Sequence, residues 1–119
     1  EVINIKSGHF RPYDRYGSAI SDMHWLPLSG KPLNGAYECF MLQMKPGAVS
    51  KPHEHMGHEE FYMLEGRLID YDGAVYNRGD YVKFKPGSKH SSHSPDGCLI
   101  LVILRGDNRA LASEEIAAL

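Results

Sequence analysis

The densest chemistry in the chain lies between Gly47 and Gly66, a run that holds His53, His55, His58, Glu59 and Glu60. His53 and His55 are two residues apart. Side chains at i and i+2 of a strand share a face, so both imidazoles can reach one point. Glu59 follows four residues later, beyond a turn marked by Gly57. A carboxylate returning beside two imidazoles gives mixed nitrogen and oxygen ligation, which suits a borderline divalent cation. A fourth ligand can come from a neighbouring strand. His90, in Pro86-Gly-Ser-Lys-His90, is the natural candidate.

The neighbours of these residues divide by strand parity. Glu59 and Glu60 point to opposite faces, so only one can turn inward, and Glu60 reads as a surface charge. His58 should face away from the ion. Phe61 and Met63 share the parity of Glu59 and are expected to line the cavity beside it, although in a small barrel the same pattern also fills a core. His93 lies past the expected strand end. It reads as a solvated loop histidine, with an acid or base at the pocket mouth as the alternative. His9 and His24 have no partner in the sequence and are assigned nothing.

The elements that must position these groups are short. Strand-like segments alternate with Gly and Pro turns every eight to twelve residues, which predicts a β-sandwich or barrel. Val2 to Ile5 alternates weakly and predicts an edge strand. Pro12 to Ser21 reads as loop. Trp25 to Leu28 is a short apolar run, Asn34-Gly35 is a turn signal, and Ala36 to Lys45 is a long strand. Glu59 to Glu65 is a strand closed by Gly66, with Arg67 to Tyr71 continuing after it and Asp72-Gly73 as a hairpin turn. Tyr81 to Lys85 alternates, and Leu99 to Leu104 is apolar enough to be buried on both faces. Ser113 is placed to cap a C-terminal helix with Ile116 and Leu119 on one face.

A length of 119 residues predicts one domain, residues 1–119, with a single core. Charged residues make up 24% and the net charge is −2, so neither a nucleic-acid footprint nor a membrane-attracting surface is expected. Two cysteines, Cys39 and Cys98, are too few for a disulfide scaffold and read as buried thiols. The chain begins at Glu1 with no leader pattern, and the cytoplasm is the expected compartment. There is no nucleophile elbow, no Cys-His pair and no phosphate-cradling glycine loop.

The spacing of the metal-ligand candidates resembles the cupin superfamily. Gly47, His53, His55, Glu59 and Gly66 satisfy every interval of its first motif, residues 47–66. Gly79, Gly87 and His90 match the second, residues 79–94, with Pro86 one place late and Ser94 where an Asn is usual. The resemblance implies an all-β double-stranded β-helix, a jelly-roll barrel with the short C-terminal helix added. It implies one divalent ion, Fe, Zn, Mn or Ni, held by His53, His55, Glu59 and His90, and it implies homodimers. Within the superfamily, the Glu-Glu-Phe-x-x-Leu-Glu-Gly run, the Pro-Gly-Ser-x-His turn and the Gly-Cys-Leu ending are most similar to the ChrR-type cupins. That group contains the domain of zinc-binding anti-sigma factors and proteins similar to acetylacetone dioxygenases. Those dioxygenases hold their metal with three histidines, to which Glu59 adds a carboxylate here.

Two functions of different class follow. One is a metal-dependent dioxygenase or related oxygenase acting on a small enolisable or aromatic substrate. The other is a zinc-binding sensor module. Anti-sigma factors carry a helical domain ahead of the cupin, for which this chain has no room, so the enzyme is the leading expectation. A sugar-phosphate isomerase or epimerase ranks last. It would need clustered cations, and Lys51, Lys83, Lys85 and Lys89 are expected to face outward.

Overall fold

The computed structural model describes residues 1–30 and 37–119. The Asn34-Gly35 turn lies outside them. Among the described residues twelve strands are formed: β1 (Arg11–Pro12), β2 (Met23–Gly30), β3 (Glu38–Met44), β4 (Ala48–Val49), β5 (His53–His55), β6 (Glu59–Asp70), β7 (Val75–Asn77), β8 (Tyr81–Phe84), β9 (Lys89–His90), β10 (Ser92–Ser94), β11 (Cys98–Leu104) and β12 (Asn108–Ala110). A short helix, α1 (Ser113–Ala117), ends the chain.

The pairings are antiparallel and nested. β3 pairs with β11, β4 with β10, β5 with β9, and β6 with β8. The chain thus runs out and back as one long double strand around β7. It then rolls up, because β6 also pairs with β11 and β10, and β5 with β12. This is the expected jelly roll. Nesting explains why the ligand candidates meet: His53 stands directly opposite His90 in the β5–β9 ladder.

The core lies inside the roll. In β11, Cys98, Ile100, Val102 and Leu104 are buried, while Leu99, Leu101 and Ile103 between them are only half-buried. The expectation of two buried faces is therefore corrected. The outer face of this sheet carries only part of the cover that the inner face has. Each fully buried aliphatic side chain contributes about 1.5–3 kcal/mol. Trp25 packs edge-on against Tyr13, their ring centroids 4.8 Å apart.

Gly66 does not end a strand. β6 runs through it for twelve residues. A bulge at Leu64 shifts the register, since Glu65 lies opposite Leu99 but Met63 opposite Ile100. Gly66 adopts φ 73°, and a Cβ there would sit 2.0 Å from the Gly97 carbonyl oxygen, so only glycine fits.

Val2 to Ile5 forms no strand. The Asn4 side chain accepts hydrogen bonds from the amides of Lys6 and Ser7, and this local turn replaces extended pairing. In α1 the N-cap is Ala112, not Ser113. The Glu115 carboxylate accepts the Ala112 amide at 3.0 Å, supplying the cap from inside the helix. Ile116 and Leu119 are exposed rather than packed. Both cysteines are free thiols. No helix among the described residues is long and apolar enough to cross a membrane.

Candidate metal centre

Three short elements bring the four candidate ligands together. β5 presents His53 and His55 inward with Glu54 between them facing out, and β9 presents His90. The turn from Met56 to His58 returns the chain so that β6 opens on Glu59. That turn is pressed against the Arg105–Asp107 backbone. His58 accepts the Arg105 amide at 2.9 Å, Met56 donates to Asp107 at 2.9 Å, and a Cβ on Gly57 would meet the Arg105 carbonyl oxygen at 2.0 Å. A residue without a side chain is thus required between the second histidine and the carboxylate.

His53, His55, Glu59 and His90 are all buried, and one ligand atom from each lies within 4.8 Å of all the others. Their outward nitrogens are all engaged. His53 Nδ1 donates to the Lys51 carbonyl at 2.7 Å, and His90 Nδ1 donates to Asp70 at 2.8 Å. Ser88 Oγ donates to the Lys85 carbonyl at 2.6 Å, so its lone pair accepts from His55 Nδ1 at 3.0 Å. Carbonyl, carboxylate and committed hydroxyl each demand a proton on Nδ1. In the neutral rings every Nε2 is then a bare lone pair, and all three point inward.

The inward atoms crowd one another. His53 Nε2 is 3.2 Å from His55 Nε2, and His55 Nε2 is 2.8 Å from Glu59 Oε2. His90 Nε2 is buried with no partner. Burial, with His90 adding to it, lowers His53 to about 4, so it is neutral at pH 7. For Glu59, burial acts to raise the carboxyl, but a proton held between it and His55 Nε2, and positive charge on the adjacent imidazoles when they are protonated, outweigh it and hold it below its ordinary value. One shared proton would relieve the His55–Glu59 contact and leave the other lone pairs opposed. A divalent cation satisfies all four atoms, so the donor set fits such an ion. The Nδ1 partners are the supports that orient imidazole ligands.

His53, Glu59 and His90 also line an internal space of about 50 Å³, room for a few water-sized groups. Its opposite wall is apolar, with Phe40, Phe61, Leu68, Ile100 and Val102. Phe61 therefore faces the cavity, whereas Met63 is fully buried in the core beyond it. Glu60 points outward to Tyr81 and Arg105. His58 is exposed. His93 is in mid-strand in β10, not in a loop. Its neighbours Ser92 and Ser94 turn inward and leave it exposed on the outer face, away from the cavity mouth. Lys51 lines the cavity, while Lys83, Lys85 and Lys89 are exposed outside it.

Several residues at the site carry no signal in the sequence motifs. Asp70, Ser88 and the Lys51 carbonyl hold the imidazoles, and Tyr13, Tyr16 and Asn108 line the cavity.

The family model for the ChrR cupin-like domain matches residues 13–106. No curated protein sequence matches the chain. Among solved structures, the chain is similar to a protein of unknown function with a cupin-like fold from Ralstonia eutropha, at 23% identity and TM-score 0.70, covering 78% of this chain and 60% of that one. An acetylacetone dioxygenase from Acinetobacter johnsonii superposes with TM-score 0.81 at 16% identity, over 96% of this chain and 79% of the other. A chain of the Rhodobacter sphaeroides complex between SigE and the anti-sigma factor ChrR gives TM-score 0.68 at 16% identity, covering 85% of this chain and half, 50%, of that chain. At these identities the likeness is one of fold.

Proposed function

The chain belongs to the ChrR cupin-like domain family, and from that premise we propose that it is a metal-dependent oxygenase acting on a small enolisable or aromatic compound. The observation that carries this reading is that the ligand cluster opens onto an apolar cavity. A structural ion is closed in by its protein ligands, whereas a catalytic one keeps positions open toward a pocket. Here His53, Glu59 and His90 line the cavity as well as belonging to the candidate ligand cluster.

His53, His55 and His90 would hold the ion through Nε2 and Glu59 through a carboxylate oxygen. A redox-active divalent ion held there supplies Lewis acidity and the capacity to engage O₂. The protein's own part is positioning. Asp70, Ser88 and the Lys51 carbonyl fix the imidazoles before substrate arrives, so little reorganisation is left for the reaction. Phe40, Phe61 and Val102 exclude water and favour a compact apolar substrate. Glu59, ionised in the fold, lowers the site's net charge and balances a divalent cation. Phosphorylated substrates are disfavoured because Lys51 is the one cationic side chain among the described residues lining the cavity.

The test is anaerobic reconstitution of apo-protein with Fe(II), followed by O₂ uptake with diketones, hydroxylated acetophenones and catechols. Uptake on at least one class supports the reading. Full zinc occupancy after chelator-free purification, with no uptake by the iron form, would replace it with the zinc-binding sensor module that the anti-sigma factor represents in this fold.

A further inference from the structure

Of the three groups that hold the imidazoles from behind, only Asp70 carries a charge, and it is buried at 4% exposure. His90 Nδ1 reaches one of its oxygens at 2.8 Å, and no lysine or arginine among the described residues forms an ion pair with it. A buried carboxylate offers about four acceptor sites and is costly to leave with a single donor. A second donor stands on the neighbouring strand. Tyr76 of β7 lies opposite Leu68 of β6, and Leu68 and Asp70 both turn inward from that strand. The hairpin joining them is closed on both sides, with the Asp70 amide donating to the Ala74 carbonyl at 2.8 Å and the Gly73 amide to the Asp70 carbonyl at 2.9 Å. The Tyr76 ring packs edge-on against Phe61 and Phe84, at centroid distances of 5.6 and 6.4 Å, and its hydroxyl bonds to the Asp70 carboxylate. Phe84 in turn lies 4.4 Å from the His90 ring. Burial first, then the charges of Asp70 and Asp72, push the Tyr76 phenol up to about 12, so the hydroxyl keeps its proton and donates.

We infer that Tyr76 is a positioning residue of the metal centre, fixing the Asp70 carboxylate on which His90 is aligned. This rests on the ion-binding reading of the four ligands and is independent of the oxygenase assignment. The chain runs from the Tyr76 hydroxyl to Asp70 and from Asp70 to the proton on His90 Nδ1, leaving His90 Nε2, which has no partner, aimed at the ion. A carboxylate held by His90 alone is free to turn about its own side-chain bonds and to tilt the imidazole with it. A second donor removes that freedom before an ion arrives, which is the part that outer partners play around a ligating histidine. The ring and the oxygen of Tyr76 have separate roles. Phe61 and Phe84 need only the ring, which a phenylalanine would also supply. Tyr76 does not line the cavity, so its oxygen serves Asp70 and not a substrate.

The experiment uses the full chain and Co(II) alone as the probe, because the visible bands of that ion report the geometry of its ligands. Competition with a chelator reads the affinity. Tyr76→Phe keeps the ring and deletes one oxygen. It should weaken Co(II) binding about three- to tenfold, the worth of one hydrogen bond felt at second hand and less than the loss of a direct partner. It should also displace the visible bands in the same direction as Asp70→Asn. Thermal melting of the apo-protein separates positioning from folding. In an Asp70→Asn background the same change at Tyr76 should alter affinity by less than about twofold, because the link through which it acts is already broken. Unchanged affinity and bands in Tyr76→Phe, with the parent binding Co(II), would overturn this assignment and leave the metal centre standing. An equal loss in both backgrounds would overturn it too, since Tyr76 would then act by packing and not through Asp70. Failure of the parent to bind Co(II) would overturn both this assignment and the ligand cluster on which it rests.

Discussion

The barrel holds two buried polar clusters, two strands apart, built on opposite principles. Glu59 lies opposite Leu104, which lies opposite Glu38. At Glu38 every charge is answered. Arg15 donates to both Glu38 oxygens at 2.7 and 3.1 Å, to Asp107 at 2.8 Å and to the Tyr13 hydroxyl at 3.0 Å, with its guanidinium 5.3 Å from the ring centroids of Trp25 and Phe40. At Glu59 lone pairs face lone pairs, and His90 Nε2 has no partner. The first cluster is complete without a ligand and serves to fasten the Tyr13–Ile20 loop to the barrel. The second is complete only with a cation. A buried group that is internally satisfied is a structural part, and one that is internally frustrated is a binding part.

The largest effect expected is on the satisfied cluster. Glu38→Ala leaves Arg15, whose side chain is 1% exposed, as a buried cation with only the half-exposed Asp107 to answer it. Breaking such a pair costs about 3–5 kcal/mol. Urea unfolding of the apo-protein measures it. A loss below about 1 kcal/mol would mean that the cluster is not the fastening described.

His53→Leu should do the reverse. Its Nδ1 partner is the carbonyl of Lys51, an exposed residue that water can serve, so no buried charge is orphaned. Removing a lone pair from the crowded centre should leave apo stability within about 1 kcal/mol of the parent. Metal affinity should fall by more than the roughly 100-fold that marks the loss of a supporting partner. Competition with a chromophoric chelator reads the affinity. If His53→Leu unfolds the apo-protein as readily as Glu38→Ala, the two clusters do not differ in kind.

Asp70→Asn sharpens the contrast. An amide can still accept from His90 Nδ1 but carries no charge to strengthen the ligand, so affinity should drop about 10- to 100-fold with the four ligands intact. Glu60→Gln, on the opposite face of the same strand, should leave it unchanged. Mass spectrometry of metal per chain after graded dialysis separates the two. Loss of metal in Glu60→Gln would place the wrong carboxylate at the centre.

How much of this was legible in the sequence follows from where each partner lies in the chain. His53, His55 and Glu59 sit within seven residues, and strand parity with one turn orients all three. His90 needs one further strand, and the motif supplies it. Asp70 is hidden by the bulge at Leu64. Counting by twos from Glu59 points residue 70 outward, whereas the register shift turns Leu68 and Asp70 in. Arg15, Tyr16 and Asn108 are hidden by the nesting itself, because their contacts close loops that no local pattern encodes. Strand type was readable wherever one face is clearly buried. It failed at Val2–Ile5, where a side-chain turn at Asn4 outcompetes pairing, and at β11, where composition does not reveal how much covers the outer face.

The smallest effect lies at the rim, where neither principle operates. Arg109 bridges Glu54 of β5 and Glu115 of α1, at 2.6 and 2.8 Å. The Arg109 hydrogen bond, with the Ala112 amide adding to it, holds the Glu115 carboxyl down at about 2. A carboxylate depressed in the fold contributes stability that is present above its unfolded value near 4.5 and is lost as pH falls toward 2. The contact is solvent-exposed and screened, so the contribution is modest and should shrink further with salt. Thermal melts between pH 5.5 and 2.5 should therefore show a gap between the parent and Glu115→Gln that is open at the upper end, narrows on acidification and closes in high salt. Because Arg109 joins α1 to the strand carrying His53 and His55, the same variant also asks whether the rim steadies the ligands. An unchanged metal affinity would confine the positioning of those histidines to the Nδ1 partners beneath them, whereas a drop matching that of Asp70→Asn would extend the binding cluster outward to α1.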